Sequence, residues 1–173
     1  MELFEELIKV LLPALAVLYA MYLVVKSFLE KDMEKKVLDV RSKNAEVILP
    51  VRLQAYERIC LFLERITPNN LLIRLNDGSY SARQFQQILN SEIREEFNHN
   101  LSQQLYMSDQ AWIMVKNAMQ EVISVINEAS REVDPEAKSL ELSKRIFEKM
   151  LAKEADPVQE ALTQVKDEIR RIF

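Results

Sequence analysis

Few residues of this 173-residue chain are of a type that does chemistry, and they are thinly spread: one histidine, one cysteine and one tryptophan. Glu96-Phe97-Asn98-His99 has the Glu-x-x-His spacing that sets a carboxylate and an imidazole on one helix face, as in di-iron bundles. Those centres take a second Glu-x-x-His, and His99 is the only histidine. The spacing therefore predicts a surface histidine salt-bridged to Glu95 or Glu96, with no metal. A serine or cysteine nucleophile would need His99 as its base and a strand-turn-helix elbow to present it. The pattern shows no such elbow. A single cysteine, Cys60, excludes an internal disulfide framework and cysteine-rich zinc sites, and fits a reducing compartment. The residues predict no enzyme, no metal and no cofactor.

The basic residues are more informative. Between Asn44 and Val115 every positive charge is an arginine: Arg52, Arg58, Arg65, Arg74, Arg83 and Arg94. The fixed guanidinium fork suits bidentate contact with carboxylate or phosphate, where lysine acts as a mobile point charge. One reading is a set of inter-helix ion pairs with Glu57, Glu64, Glu92, Glu95 and Glu96. The other is an anion or phospholipid-headgroup site, with Arg52, Arg58, Arg65 and Arg74 as its first candidates.

The elements that carry these residues are helical. Average usage of about 7% glycine predicts on the order of twelve in a chain of this length, and Gly78 is the only one. Hairpins, bulges and phosphate-cradling loops depend on glycine, so all-β sandwiches, Rossmann domains and P-loops are excluded. The net charge of −4 and pI near 5.2 offer no general attraction to nucleic acid.

From Val10 to Val25 the chain reads VLLPALAVLYAMYLVV without a charge. Extended to Leu7 and Leu29, with Lys9 and Lys26 at the margins, the segment is 23 residues and about 34 Å as a helix, enough for a hydrocarbon core of roughly 30 Å. It is apolar on every face, with Leu11, Leu12, Leu15, Val17, Leu18, Met21, Leu23 and Val24 as lipid-facing candidates. The alternative is a buried core helix. Acidic Glu2, Glu5 and Glu6 argue against a cleaved signal peptide. Lys9 stands alone before the span, whereas Lys26, Lys31, Lys35, Lys36, Arg41 and Lys43 follow it, which predicts the N-terminus outside and the rest in the cytoplasm.

The predicted architecture is all-α: a transmembrane anchor over 1–29, a charged helical stalk over 30–49 and a bundle of about five helices over 50–173. The stalk carries a sparse stripe (Phe28, Met33, Val37, Val40) and either rests its bases on anionic headgroups or is simply solvated. Pro50 is expected to start a new helix, with Leu53, Tyr56, Ile59, Cys60, Leu63 and Ile66 inward. Thr67-Pro68 caps a short helix to Leu75, and Asn76-Asp77-Gly78 reads as a helix-turn-helix link or, less simply, a hairpin turn that spends the one glycine. A helix from Ser81 to Tyr106 has a drifting stripe, so it either crosses several neighbours or breaks near Asn98-His99-Asn100. Ser108-Asp109 opens the cleanest pattern: Trp112, Val115, Met119, Val122, Ile126, Ala129 and Val133, spaced 3-4-3-4-3-4 and flanked by Ala118, Ile123 and Val125, as a bundle-centre helix requires. Asp134-Pro135 and Asp156-Pro157 each read as an N-cap and first turn. They would open helices carrying Leu140, Ile146, Phe147 and Met150, then Val158, Leu162, Val165, Ile169 and Ile172.

Arg52 to Leu75 (RLQAYERICLFLERITPNNLLIRL) and Glu92 to Glu121 (EIREEFNHNLSQQLYMSDQAWIMVKNAMQE), behind one N-terminal span, resemble a family of uncharacterised bacterial single-pass membrane proteins. The resemblance implies architecture and a bacterial inner-membrane setting, and carries over no functional residues. The expected role is a membrane-anchored scaffold or an accessory subunit with protein partners, lipid contact and possible self-association. An anionic-lipid or anionic-ligand module is the alternative.

Overall fold

The computed structural model describes residues 1–153 and 155–171, without the side chains of 2–10, 13–14, 37–38, 40–42 and 44–45. The described residues are helical apart from short links. They divide into two units, Met1–Leu49 and Pro50–Phe173.

The first unit is a single element, the N-terminal part of helix α1 (Glu2–Ile66). All of its described side chains are exposed except those of Asp32 and Leu49, which are partly covered. Asp32 and Lys36 pair at 2.8 Å one turn apart. Among the described residues no helix is long and apolar enough to cross a membrane. Of the expected span, Leu7 to Val10 and Pro13-Ala14 lie outside the described side chains.

α1 runs through Pro50, which corrects the expected helix start there. Proline removes one backbone donor, but its φ near −65° is helical, so a helix already formed on either side can continue across it. The division between the units nonetheless falls at this residue.

The second unit is a helical bundle with one core. After Pro50, α1 turns Ala55, Tyr56, Ile59, Phe62, Leu63 and Ile66 inward, while Leu53 stays 46% exposed. The bundle continues with α2 (Pro68–Leu75), α3 (Ala82–His99), a 3-10 turn (Leu101–Tyr106), α4 (Asp109–Arg131), α5 (Ser139–Leu151) and α6 (Pro157–Arg170). α4 packs against α3, α5 and α6 and is the central helix. Its face is as wide as its spacing requires: Ala111, Val115, Ala118, Val122, Val125, Ile126 and Ala129 are buried to within 1%. Each fully buried Val or Ile contributes roughly 1.5–3 kcal/mol, so α4 alone outweighs any surface ion pair of the bundle.

The drifting stripe of the expected 81–106 helix resolves as a break. α3 ends at His99, and Asn100 is buried with its amide donating to the Glu96 carbonyl. Phe85, Leu89 and Ile93 are buried, whereas Leu101 and Leu105 of the 3-10 turn are 43% and 79% exposed.

Three details of the links differ from expectation. Thr67 precedes α2, but its hydroxyl donates backward to the Glu64 carbonyl at 2.7 Å and leaves the helix uncapped. Gly78 does not use positive φ, and a Cβ there would meet nothing. Its turn is held by Asp77, whose carboxylate accepts from the Ser79 N–H at 2.9 Å and is thereby held below the usual carboxylate range. Asp134-Pro135 forms a turn, and α5 starts at Ser139. The physical reason lies on α3: the N–H groups of Ala82 and Arg83, orphaned at its first turn, donate to the carbonyls of Ala137 and Pro135 at 2.8 and 3.1 Å. A helix over 135–138 would commit those carbonyls to its own ladder. Asp156-Pro157 does cap α6, its carboxylate accepting from Val158 and Gln159. Ile172 and Phe173 lie outside the described residues.

Candidate functional site

A polar cluster of the bundle joins three helices at the carboxylate of Glu168, near the end of α6. Tyr56 of α1 is buried among apolar neighbours, and a buried tyrosine hydroxyl requires a partner. It donates to Glu168 Oε1. The same oxygen accepts from the backbone N–H of Ser108 at 2.8 Å, and Oε2 accepts from the Ser108 hydroxyl at 2.5 Å. Ser108 also caps α4 by accepting from the Ala111 N–H at 3.2 Å. Arg52, one turn before Tyr56, donates from Nε to the Tyr106 carbonyl at 3.2 Å and adds its positive charge.

Electrostatics make this cluster a clasp. Burial and the neighbouring carboxylate push the Tyr56 hydroxyl up to about 12, so it is neutral through the physiological range. Partial burial of Glu168 favours its neutral form. The Ser108 and Tyr56 hydroxyls, the Ser108 N–H and the Arg52 charge together outweigh burial and hold the carboxyl below its ordinary value. Glu168 is thus an anion whose oxygens are already engaged, and its work is to hold α6 against α1 and the start of α4.

The sequence-level candidates do not converge on one site. Arg65 pairs with Glu96 at 2.9 Å and Arg74 with Glu92 at 2.5 Å, so two of the four arginines meet carboxylates one turn apart on α3. Arg52 belongs to the clasp. Arg58 lies beside Gln54, Ser102 and Gln103 in a separate shallow groove. His99 shares a hollow with Arg65, Glu92, Glu95 and Glu96, but Glu96 is committed to Arg65 and Glu95 accepts from the Ser91 hydroxyl. Among the described residues no three His, Cys, Asp or Glu side chains gather to hold a metal ion. Cys60 is half-buried, and burial pushes its thiol up, away from the reactive thiolate.

A cleft of about 480 Å³ opens where the start of α2 faces the end of α5 and the start of α6. Phe147, Met150, Glu64, Asn69, Lys153 and Gln159 are among the residues that line it. Its polar groups have local work: Asn70 donates to the Glu64 carbonyl, Asp156 caps α6 and Lys153 pairs with Glu121.

Sequence reasoning missed Glu168 altogether and assigned Tyr56 only to the core and Ser108 only to a cap. A tyrosine at an inward position does announce a hydroxyl needing a partner. The partner stands 112 residues further along the chain, where no local pattern marks it.

No curated protein and no solved structure matches the chain. A family model does match, over residues 2–172, covering the N-terminal helix as well as the bundle. The chain therefore belongs to that family, the family of unknown function DUF7935.

Proposed function

We propose that this chain is a membrane-anchored helical scaffold, or an accessory subunit of a larger envelope assembly, held by its N-terminal segment in the inner membrane of a bacterium with the bundle in the cytoplasm. One observation carries the reading. Leu11, Leu12 and every residue from Leu15 to Leu29 are exposed, and all but Lys26 and Ser27 are apolar, most of them large side chains standing 46–69% open on all sides of α1. A helix that packs on protein has a polar side to give to water; this one has none and calls for an apolar medium all round. The excess of Lys and Arg after the segment supports the orientation. The family model's inclusion of the same helix supports reading anchor and bundle as one architecture.

The mechanism is tethering: confinement at the membrane raises the bundle's effective concentration toward partners there. Fractionation tests it. The full-length chain is expected in the membrane pellet after carbonate or high-salt washing and in solution only with detergent. Recovery in the soluble fraction without detergent overturns the proposal. With Arg65 and Arg74 engaged by carboxylates, the arginine set offers less to an anionic ligand than its spacing suggested.

A further inference from the structure

We propose that residues 33–47 of α1 form a parallel coiled coil with a second copy of this chain. Met33, Val37, Val40, Asn44 and Val47 follow one another at steps of 4, 3, 4 and 3, the 3.5-residue period of a seam between supercoiled helices. The backbone is continuous helix over all of them. The seam spans about 21 Å. Its described ends, Met33 and Val47, are 61% and 70% exposed, and the first unit of the chain has no second element to lay over them.

Two features select a second copy over lipid or an unrelated apolar surface. Asn44 is the one polar residue of the seam. An amide carries both donor and acceptor, so the same residue from two copies can satisfy itself across a two-fold axis, whereas an apolar partner leaves it orphaned. The seam also lies in a densely charged stretch, which suits a helix with one buried stripe and wet flanks. The parallel direction rests on the membrane-anchored reading, because two copies inserted the same way run the same way. In that register Lys36 of one copy faces Arg41 of the other. This unfavourable layer is moderated by the Asp32 partner of Lys36 and screened by salt, so added salt should strengthen the pairing.

The test uses full-length chains in membranes or mild detergent, with Cys60→Ser removing the native thiol. Single cysteines are placed by Met33→Cys and Val47→Cys on the seam and by Ser42→Cys on the opposite face. Mild oxidation is expected to give disulfide-linked homodimers at 33 and at 47, and none at 42. Three results overturn the proposal: no dimer at 33 and 47, equal yield at 42, or linkage only when the Met33→Cys and Val47→Cys chains are mixed, the mark of an antiparallel pair. A monomeric mass for the unsubstituted chain overturns it as well, independently of any variant. Seam-specific dimers from a chain recovered in the soluble fraction would sink the anchor and keep the seam, and a membrane-bound chain without them would do the reverse.

Discussion

The start of α1 and the whole of α4 are both rich in large apolar residues, but they dispose them oppositely. In α4 the apolar side chains fall largely on one wide face and are covered, Ile113 at 49% exposure being the exception, while Asp109, Glu121 and Glu128 stand outside it. Between Leu11 and Val25 of α1 there is no second face, and the described side chains are all exposed. Hydrophobicity of similar amount therefore answers to different surroundings. An asymmetric helix is stabilised by the protein's own core, and a symmetric one must find its apolar medium elsewhere.

The sharpest way to break the comparison is to charge the symmetric helix. Val17→Lys together with Leu18→Asp places two charges mid-segment, each costing roughly 2.5–3.5 kcal/mol in a membrane. Recovery in the pellet should be lost while the bundle's unfolding midpoint is unchanged; a chain that still pellets would remove the distinction. Next comes the asymmetric helix itself. Ile126→Ala in α4 empties space in a buried face and should cost about 2–5 kcal/mol in denaturant unfolding, whereas Val24→Ala should leave that transition where it is.

The clasp gives a smaller, pH-dependent effect. Tyr56→Phe deprives Glu168 of a donor and should cost roughly 1–2 kcal/mol at neutral pH. Because the Glu168 carboxyl is held below its unfolded value, its contribution is present above the usual carboxylate range and fades as pH falls through the depressed value. The variant and the unsubstituted chain should thus converge in acid, which thermal melts at stepped pH would reveal. Tyr56, raised to about 12, contributes the opposite way: its share persists below pH 10 and is lost as pH climbs toward 12.

Surface terms are smaller still. Arg65→Met should change stability by less than about 1 kcal/mol, the usual range for an exposed ion pair. Gly78→Ala, at a position with open space and no positive φ, should be neutral or stabilising by about 0.4–1 kcal/mol. A clear loss in the second case would show that the turn needs its glycine after all.

Much of the bundle was legible because its signals are local. Periodicity placed the face of α4, Ser108 and Asp156 marked two helix starts, and weak helix formers around Asn98 marked the end of α3. The candidate site was far less legible. The arginines could be singled out by type, but which would meet a carboxylate depended on the packing of α1 and α2 against α3. Glu168 sits among other charged residues near the chain's end and looks like any of them until α6 is docked.

The two Asp-Pro pairs show where the boundary runs. From sequence they are the same device, and each dictates a sharp change of chain direction, since proline accepts few backbone angles and aspartate readily takes up nearby N–H groups. Sequence alone also determined the helical class, through the scarcity of glycine, and the contrast between a one-sided α4 and an all-round apolar α1. Tertiary structure decided that Asp156 opens a helix while Asp134 makes a turn, because the carbonyls after Asp134 are claimed by the first N–H groups of α3. It likewise decided that Tyr56, Ser108 and Glu168 meet. Local preferences act over a few residues, but a buried polar group is satisfied by whatever the fold brings within hydrogen-bonding distance.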